Sequence, residues 1–352
     1  MGSKRFLFVL FLFYGSAFGQ ELKQGKEYNV VCVAFYNLEN LYDTIVDPDP
    51  NKTLQDDFTP LGDKRFDTQR YQQKLENMAK VIAELGTESQ PDGPAILGVC
   101  EIENRLVLED LVKMPAISGR KYKIVHYDSP DRRGVDVALL YQEKYFKYES
   151  SASYVLTNPE DSSFFTRSQL LVSGEIGGED FHFMVAHWPS RRGGEKRSRP
   201  LRMLAAELGL HVMDSIKKTD PAAKIVYMGD LNDDPVSFSI KNVIKSEGDI
   251  SQVESGDFFN PMEKLYDQGI GTLAYRDNWN LFDQFICTSA LVEKGGDFSN
   301  YKYYKAKVFN APYLKNSSGS FVGYPFRTYV GSTWQGGYSD HFPVYMYLVR
   351  EK

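Results

Sequence analysis

Apolar positions fall into short runs along the chain, most of them closed by a polar cluster, with one long stretch of helical spacing in each half. Residues 28–37 (YNVVCVAFYN) are almost continuously apolar, as expected of a strand covered on both faces. Across 68–85, Tyr71, Leu75, Met78, Ile82 and Leu85 recur three and four apart, which predicts an amphipathic helix. A strand at 94–100 (PAILGVC), a helix over 104–114 and strands at 121–127 and 134–141 follow. The second half repeats this grammar with strands at 168–176 and 180–187. A helix then opens at Pro200, a favoured first helical position, and runs to Lys217. Strands at 224–229, 271–276, 281–287 and 342–348 complete the pattern. Segments 46–66 and 290–338, rich in Gly, Asn, Asp and Tyr, read as long surface loops. Two halves that each mix hairpin strands with helices predict two packed sheets with helices outside, in one domain over 20–352.

Composition changes this picture at the N-terminus. Lys4 and Arg5 precede an apolar run from Phe6 to Tyr14, and Ala17 and Gly19 follow at cleavage-site spacing, so residues 1–19 read as a secretory signal peptide. That run is too short to span a bilayer, and the expectation is an exported, periplasmic or secreted protein without stable membrane insertion, acting as a monomer. Removing Lys4 and Arg5 takes the net charge from −6 to −8, so any contact with phosphates comes from a local basic patch. Cys32, Cys100 and Cys287 each lie in an apolar segment and read as buried thiols.

Candidate chemistry collects at strand ends. Asn37 and Glu39 follow the first strand, Glu101 and Glu103 the second, and His187 the strand at 180–187. Asp230 and Asn232 follow 224–229, Asp283 stands near 281–287, and Asp340 and His341 precede the last strand. Carboxylates scattered in solvated loops have no reason to keep that position, whereas α/β sites assemble at strand ends. Carboxylates with an Asn amide oxygen form a hard donor set suited to Mg²⁺, Mn²⁺ or Ca²⁺. Histidines add proton transfer or charge stabilisation. After His187 comes the strongest basic run, SRRGGEKRSRPLR, with Arg191 and Arg192 as candidate substrate contacts and Arg133 as a second. Lys196 and Arg197 read as solvated, Arg199 and Arg202 as flanking the helix start, Asp233 and Asp234 as turn residues, and His126, His182 and His211 as surface or structural. Metal, imidazole and guanidinium together are equipment for phosphoester hydrolysis.

The strings YNLEN, CEIEN, HWPSR, GDLN and SDH, in this order and spread across 28–348, resemble the endonuclease/exonuclease/phosphatase superfamily of the DNase I type. That resemblance implies an α+β fold, a four-layer α/β/β/α sandwich of two mixed sheets with the site at one end. It implies that Asn37, Glu101 and Asp340 hold the cation, Mg²⁺ or Mn²⁺ with Ca²⁺ as an alternative. Asp230 with Asn232 would position or deprotonate water, His341 oriented by Asp283 would stabilise phosphate charge, and His187 would bond a non-bridging oxygen. Gln284 stands where the family usually pairs its Asp with Tyr or Arg. The expected substrate is a phosphate ester, either nucleic acid or a small phosphorylated molecule. A sphingomyelinase-like phosphodiesterase and an inactive binding module of the same fold are the alternatives.

Overall fold

The computed structural model describes residues 22–49, 52 and 55–352, and the expected leader at 1–19 lies outside them. The strands are β1 (Tyr28–Leu41), β2 (Ile96–Ile102), β3 (Lys123–His126), β4 (Asp136–Tyr141), β5 (Lys147–Tyr154), β6 (Gln169–Ile176), β7 (Glu179–His187) and β8 (Lys224–Asp230). They continue as β9 (Ser246–Glu247), β10 (Phe258–Phe259), β11 (Leu273–Tyr275), β12 (Asn278–Asn280), β13 (Asp283–Thr288), β14 (Lys302–Val308), β15 (Tyr329–Val330), β16 (Thr333–Trp334) and β17 (Val344–Glu351). Helices are α1 (Thr68–Glu84), α2 (Arg105–Val112), α3 (Glu195–Thr219) and α4 (Glu263–Asp267). One sheet runs β14-β17-β1-β2-β4-β3 and the other β5-β6-β7-β8-β13-β10-β9.

The near-continuous apolar runs explain the layering. Val33 and Phe35 of β1 enter a core shared with Val185, Val226, Met228 and Phe285 of the facing sheet. Their neighbours Ala34 and Tyr36 point the other way, onto Leu75, Met78 and Ile82 of α1. On the far side, Met184, Ile225 and Tyr227 meet Ala205, Val212 and Met213 of α3. The central strands of both sheets are therefore dry on both faces, and truncating Phe35 to Ala would cost about 3–5 kcal/mol. Asp67 starts α1 by accepting from the Arg70 amide at 3.0 Å. Cys32, Cys100 and Cys287 are buried free thiols, as expected.

The structure departs from the sequence pattern in four places. α3 opens at Glu195 rather than Pro200, which lies inside it; Gly194, at φ 105°, turns the chain, and the Glu195–Arg199 ion pair at 2.8 Å sits in its first turns. The segment read as a loop at 290–338 contains β14, which pairs with β17, and the β15–β16 hairpin. β5 escapes the pattern because KYESSASY is polar and largely exposed: as an edge strand it needs no apolar face. The strand expected at 271–276 shortens to β11 of a small hairpin with β12, and β13 begins at Asp283.

Candidate active site

Sheet register aligns the second sheet's contribution. β7 and β8 run parallel with His187 opposite Asp230, and β8 and β13 run antiparallel with Asp230 opposite Asp283. Three candidate side chains thus stand in one row across adjacent strands. Gly229 permits the approach: a Cβ there would lie 2.2 Å from the Ala186 carbonyl oxygen.

The first sheet delivers Asn37 and Glu101. Asn37 pairs with Cys100 in the β1–β2 ladder, and the register shifts beyond it. Glu101 falls at a second irregularity, between β2 and β4, with φ 57°. A bulge of this kind re-aims the side chain out of the pleat. Asn37 Nδ2 donates to Asp230 Oδ2 at 3.1 Å, joining the two sheets at the cleft. His187 Nε2 lies 3.5 Å from Asp230 Oδ2 and 3.9 Å from Glu101 Oε1. Asn232, at φ 50°, donates from Nδ2 to the Trp188 carbonyl at 2.9 Å, and its backbone amide donates to Asp230 Oδ1 at 3.0 Å. His341 Nδ1 bonds Asp283 Oδ2 at 2.7 Å, with Nε2 3.8 Å from Asp230 Oδ2. Ser339 sets that turn, its hydroxyl donating to the Asn37 carbonyl at 2.7 Å and accepting from the His341 amide at 3.1 Å. Asn37, Glu101, His187, Asp230, Asn232, Asp283 and His341 are therefore brought into one linked cluster.

Electrostatics divide the two imidazoles. Burial, with Arg167 and Arg133 nearby, drives His187 well below the ordinary histidine range. Burial also opposes a charge on His341, but the carboxylates of Asp283 and Asp230 outweigh it and hold His341 well above that range. Burial raises Asp230 to about 7, with His341 opposing and Asp283 adding to the rise. The two surroundings thus favour the neutral form of His187 and the charged form of His341.

Around this cluster stands a wall that sequence reasoning largely missed. Arg327 donates from Nε to Glu39 Oε1 at 3.0 Å and from Nη2 to Asp340 Oδ2 at 2.8 Å. Glu39 Oε2 also accepts from the Thr328 amide at 2.6 Å and lies 4.0 Å from the fully buried Lys74 Nζ. Arg133 Nη2 binds Glu101 Oε1 at 3.2 Å and Asn40 Oδ1 at 2.6 Å, which holds Glu101 from outside the sheet. Lys74 carried a readable signal, a lysine on the apolar face of α1 beside Tyr71, Leu75 and Met78. Arg327 carried none, lying in a segment with no periodic pattern.

The basic run divides. Arg191 Nε donates to the Asn232 carbonyl at 2.9 Å, while Nη2 lies 3.1 Å from both Asp233 and Asp234. The guanidinium is thus committed to the turn that carries Asn232. Arg202, expected only to flank a helix, is fully buried with Nε 2.7 Å from Asp233 Oδ1. Asp233 and Asp234, expected as plain turn residues, anchor these arginines. Arg192 is exposed. His126 Nε2 is bonded to Asp136 Oδ2 at 2.9 Å, with Asp128 at 4.0 Å, so this trio reads as an internal hydrogen bond beside an exposed carboxylate.

Two helix-backed mixed sheets with a carboxylate–imidazole cluster at one end define a hydrolase-type sandwich. The chain belongs to the endonuclease/exonuclease/phosphatase family, whose model matches residues 32–350. No curated protein matches it. Among solved structures it is similar to an endonuclease/exonuclease/phosphatase family protein from Bacteroides thetaiotaomicron (16% identity, 93% of this chain and 97% of that one, TM-score 0.54). A mannosyl-6-phosphatase from the same organism matches at 16% identity, 90% and 99% coverage and TM-score 0.54. D. rerio TDP2 complexed with single-strand DNA product matches at 14% identity, 91% and 98% coverage and TM-score 0.53. Identities this low carry the fold, the DNase I-like sandwich, and no more.

Proposed function

We propose that the protein is an exported phosphoesterase of the nuclease or phosphatase kind that hydrolyses its substrate by in-line attack of water with a divalent cation. The observation that carries this reading is the meeting of Asn37, Glu101, His187 and Asp230 from two different sheets within hydrogen-bond or ion-pair reach. A hard cation fits the donor set. Asp230 and Glu101 are carboxylates at 2% and 9% exposure, the hard anionic oxygen donors that such a cation prefers. Asn37, Glu101 and Asp340 are the residues that would hold Mg²⁺ or Mn²⁺, with Ca²⁺ also suited to oxygen donors. The bound ion would neutralise charge on the phosphoryl oxygens.

The chain's own residues supply the rest. Asp230, fixed by the Asn232 amide, orients the water and accepts its proton. His341, charged and aligned by Asp283, stabilises the developing negative charge. His187 donates to a non-bridging oxygen, and Arg133 keeps Glu101 in place. The test is hydrolysis of bis(p-nitrophenyl) phosphate with Mg²⁺ or Mn²⁺ against excess EDTA, beside plasmid DNA, oligonucleotides, nucleotides and sugar phosphates. Metal-dependent turnover of at least one is expected. Turnover unaffected by EDTA, or none on any ester, would overturn the reading.

A further inference from the structure

Beside the catalytic cluster lies a pocket, walled by Glu39, Phe58, Lys64, Arg327 and Tyr329, that the reaction as described does not use. Two left-handed residues, Glu39 at φ 47° and Asn40 at φ 55°, turn the end of β1 toward it. The pocket is coupled to the cluster through single hydrogen bonds. Arg327 holds Asp340 at 2.8 Å, and the Asn40 amide donates to Glu101 Oε2 at 3.0 Å.

Its charge is unbalanced. Its lining sets Lys64 and Arg327 against the single carboxylate of Glu39, which leaves one formal positive charge. Lys64 is the uncompensated member: its Nζ donates to the Gly331 carbonyl, sits 5.5 Å from the Tyr329 ring and 5.8 Å from Phe58, and meets no carboxylate among the described residues. Its backbone is nonetheless fixed. The Lys64 carbonyl accepts from Arg70 Nη1 at 2.7 Å and from the Tyr329 hydroxyl at 3.0 Å, and its amide donates to the Asp57 carbonyl at 2.9 Å. Arg327 spends Nε and Nη2 on carboxylates, and its Nη1 makes no hydrogen bond among the described residues. A held ammonium beside aromatic walls and a free guanidinium edge are groups that bind a phosphate oxygen strongly.

We infer that this pocket binds a second phosphoryl group of the substrate, flanking the one that is hydrolysed. The inference rests on the phosphoesterase reading above and narrows it to substrates with two phosphates, whether consecutive in a nucleotide chain or separate on a bisphosphorylated sugar. The experiment compares wild type, Lys64→Gln and Lys64→Arg on bis(p-nitrophenyl) phosphate, on a 5′-phosphorylated thymidine dinucleotide and on a hexose bisphosphate. In Lys64→Gln, KM for whichever two-phosphate substrate is natural should rise about tenfold more than KM for the one-phosphate diester, as expected for losing a charged hydrogen bond, and Lys64→Arg should restore most of it. Calorimetric titration with pyrophosphate gives a readout independent of turnover, with affinity expected to fall at least fivefold in Lys64→Gln. Equal KM ratios, together with pyrophosphate affinity within twofold of wild type, would overturn the pocket. Lys64-dependent pyrophosphate binding in a protein that cleaves no ester would uphold the pocket and overturn the catalytic reading.

Discussion

Two acidic clusters flank the cleft, and they are neutralised to different degrees. In the turn after β8, Asp233 and Asp234 are met by Arg191 and Arg202, whereas Asp230 has no arginine or lysine in ion-pair reach and is held by the Asn37 and Asn232 amides with the two imidazoles 3.5 and 3.8 Å away. On the opposite wall Glu39 is enclosed by Arg327, the Thr328 amide and Lys74, while Asp340 shares Arg327 and keeps 32% side-chain exposure. In both regions the fully paired carboxylates hold the loop in shape, and the underpaired ones face the cleft. Burial of an unpaired carboxylate is costly, so its persistence at the sheet end marks a place where function sets the terms.

The largest effect should come from the underpaired side. Asp230→Asn and His341→Ala are each expected to lower kcat by about three orders of magnitude, the scale of removing a preorganised charge-stabilising or water-orienting group. Circular dichroism should show both variants folded. Turnover within tenfold of wild type in either would place the chemistry elsewhere.

The paired side should answer in stability. Arg202→Leu leaves Asp233 buried at 1% exposure with its principal partner gone, and should destabilise the fold by about 3–5 kcal/mol in urea titration. A loss below 1 kcal/mol would mean that Arg191 alone suffices. Arg327→Ala tests the mixed case. With its guanidinium 44% exposed, the expected stability loss is only about 1 kcal/mol, but freeing Asp340 and Glu39 should cost about tenfold in kcat. Unchanged kcat would make this wall a scaffold only.

A pair outside the cleft supplies the smallest effect. Burial pushes the Glu88 carboxyl up, but its bonds to Lys307 and to the Tyr345 hydroxyl outweigh that and bring it down to about 2. Because the folded value lies below the unfolded one, this stabilisation is present above about pH 4.5 and fades as pH falls toward about 2. Glu88→Gln should lower Tm by about 1–2 °C at pH 7 and leave it unchanged near pH 2, since the carboxyl is partly exposed. An equal drop at both pH values would assign the effect to packing.

Legibility in the sequence followed physical regularity. The strands of the sandwich centre were readable because a sheet covered on both faces needs apolar residues at every position. The cluster was readable because each member stands at a fixed offset from such a run, as Glu101 does after ILGVC and Asp230 after IVYMG. The edge strand β5 and the late strand β14 were not, since an exposed edge imposes little pattern. Arg327 and Lys64 were invisible because their partners lie 288 and 267 residues away, across loops whose path no local rule sets. Arg191 looked like a ligand contact and is spent on its own turn, because spacing shows proximity to His187 but not the carboxylates that reach it first.

The central claim, that Asn37, Glu101 and Asp340 at the sheet end form a divalent-cation site, is tested most directly by titrating metal-free protein with Mn²⁺ in a calorimeter and comparing wild type with Glu101→Gln. Wild type should bind the ion with release of heat, and Glu101→Gln should bind at least about tenfold more weakly, because a neutral amide replaces a hard anionic donor. Indistinguishable affinities in the two proteins, or no binding by wild type, would contradict it.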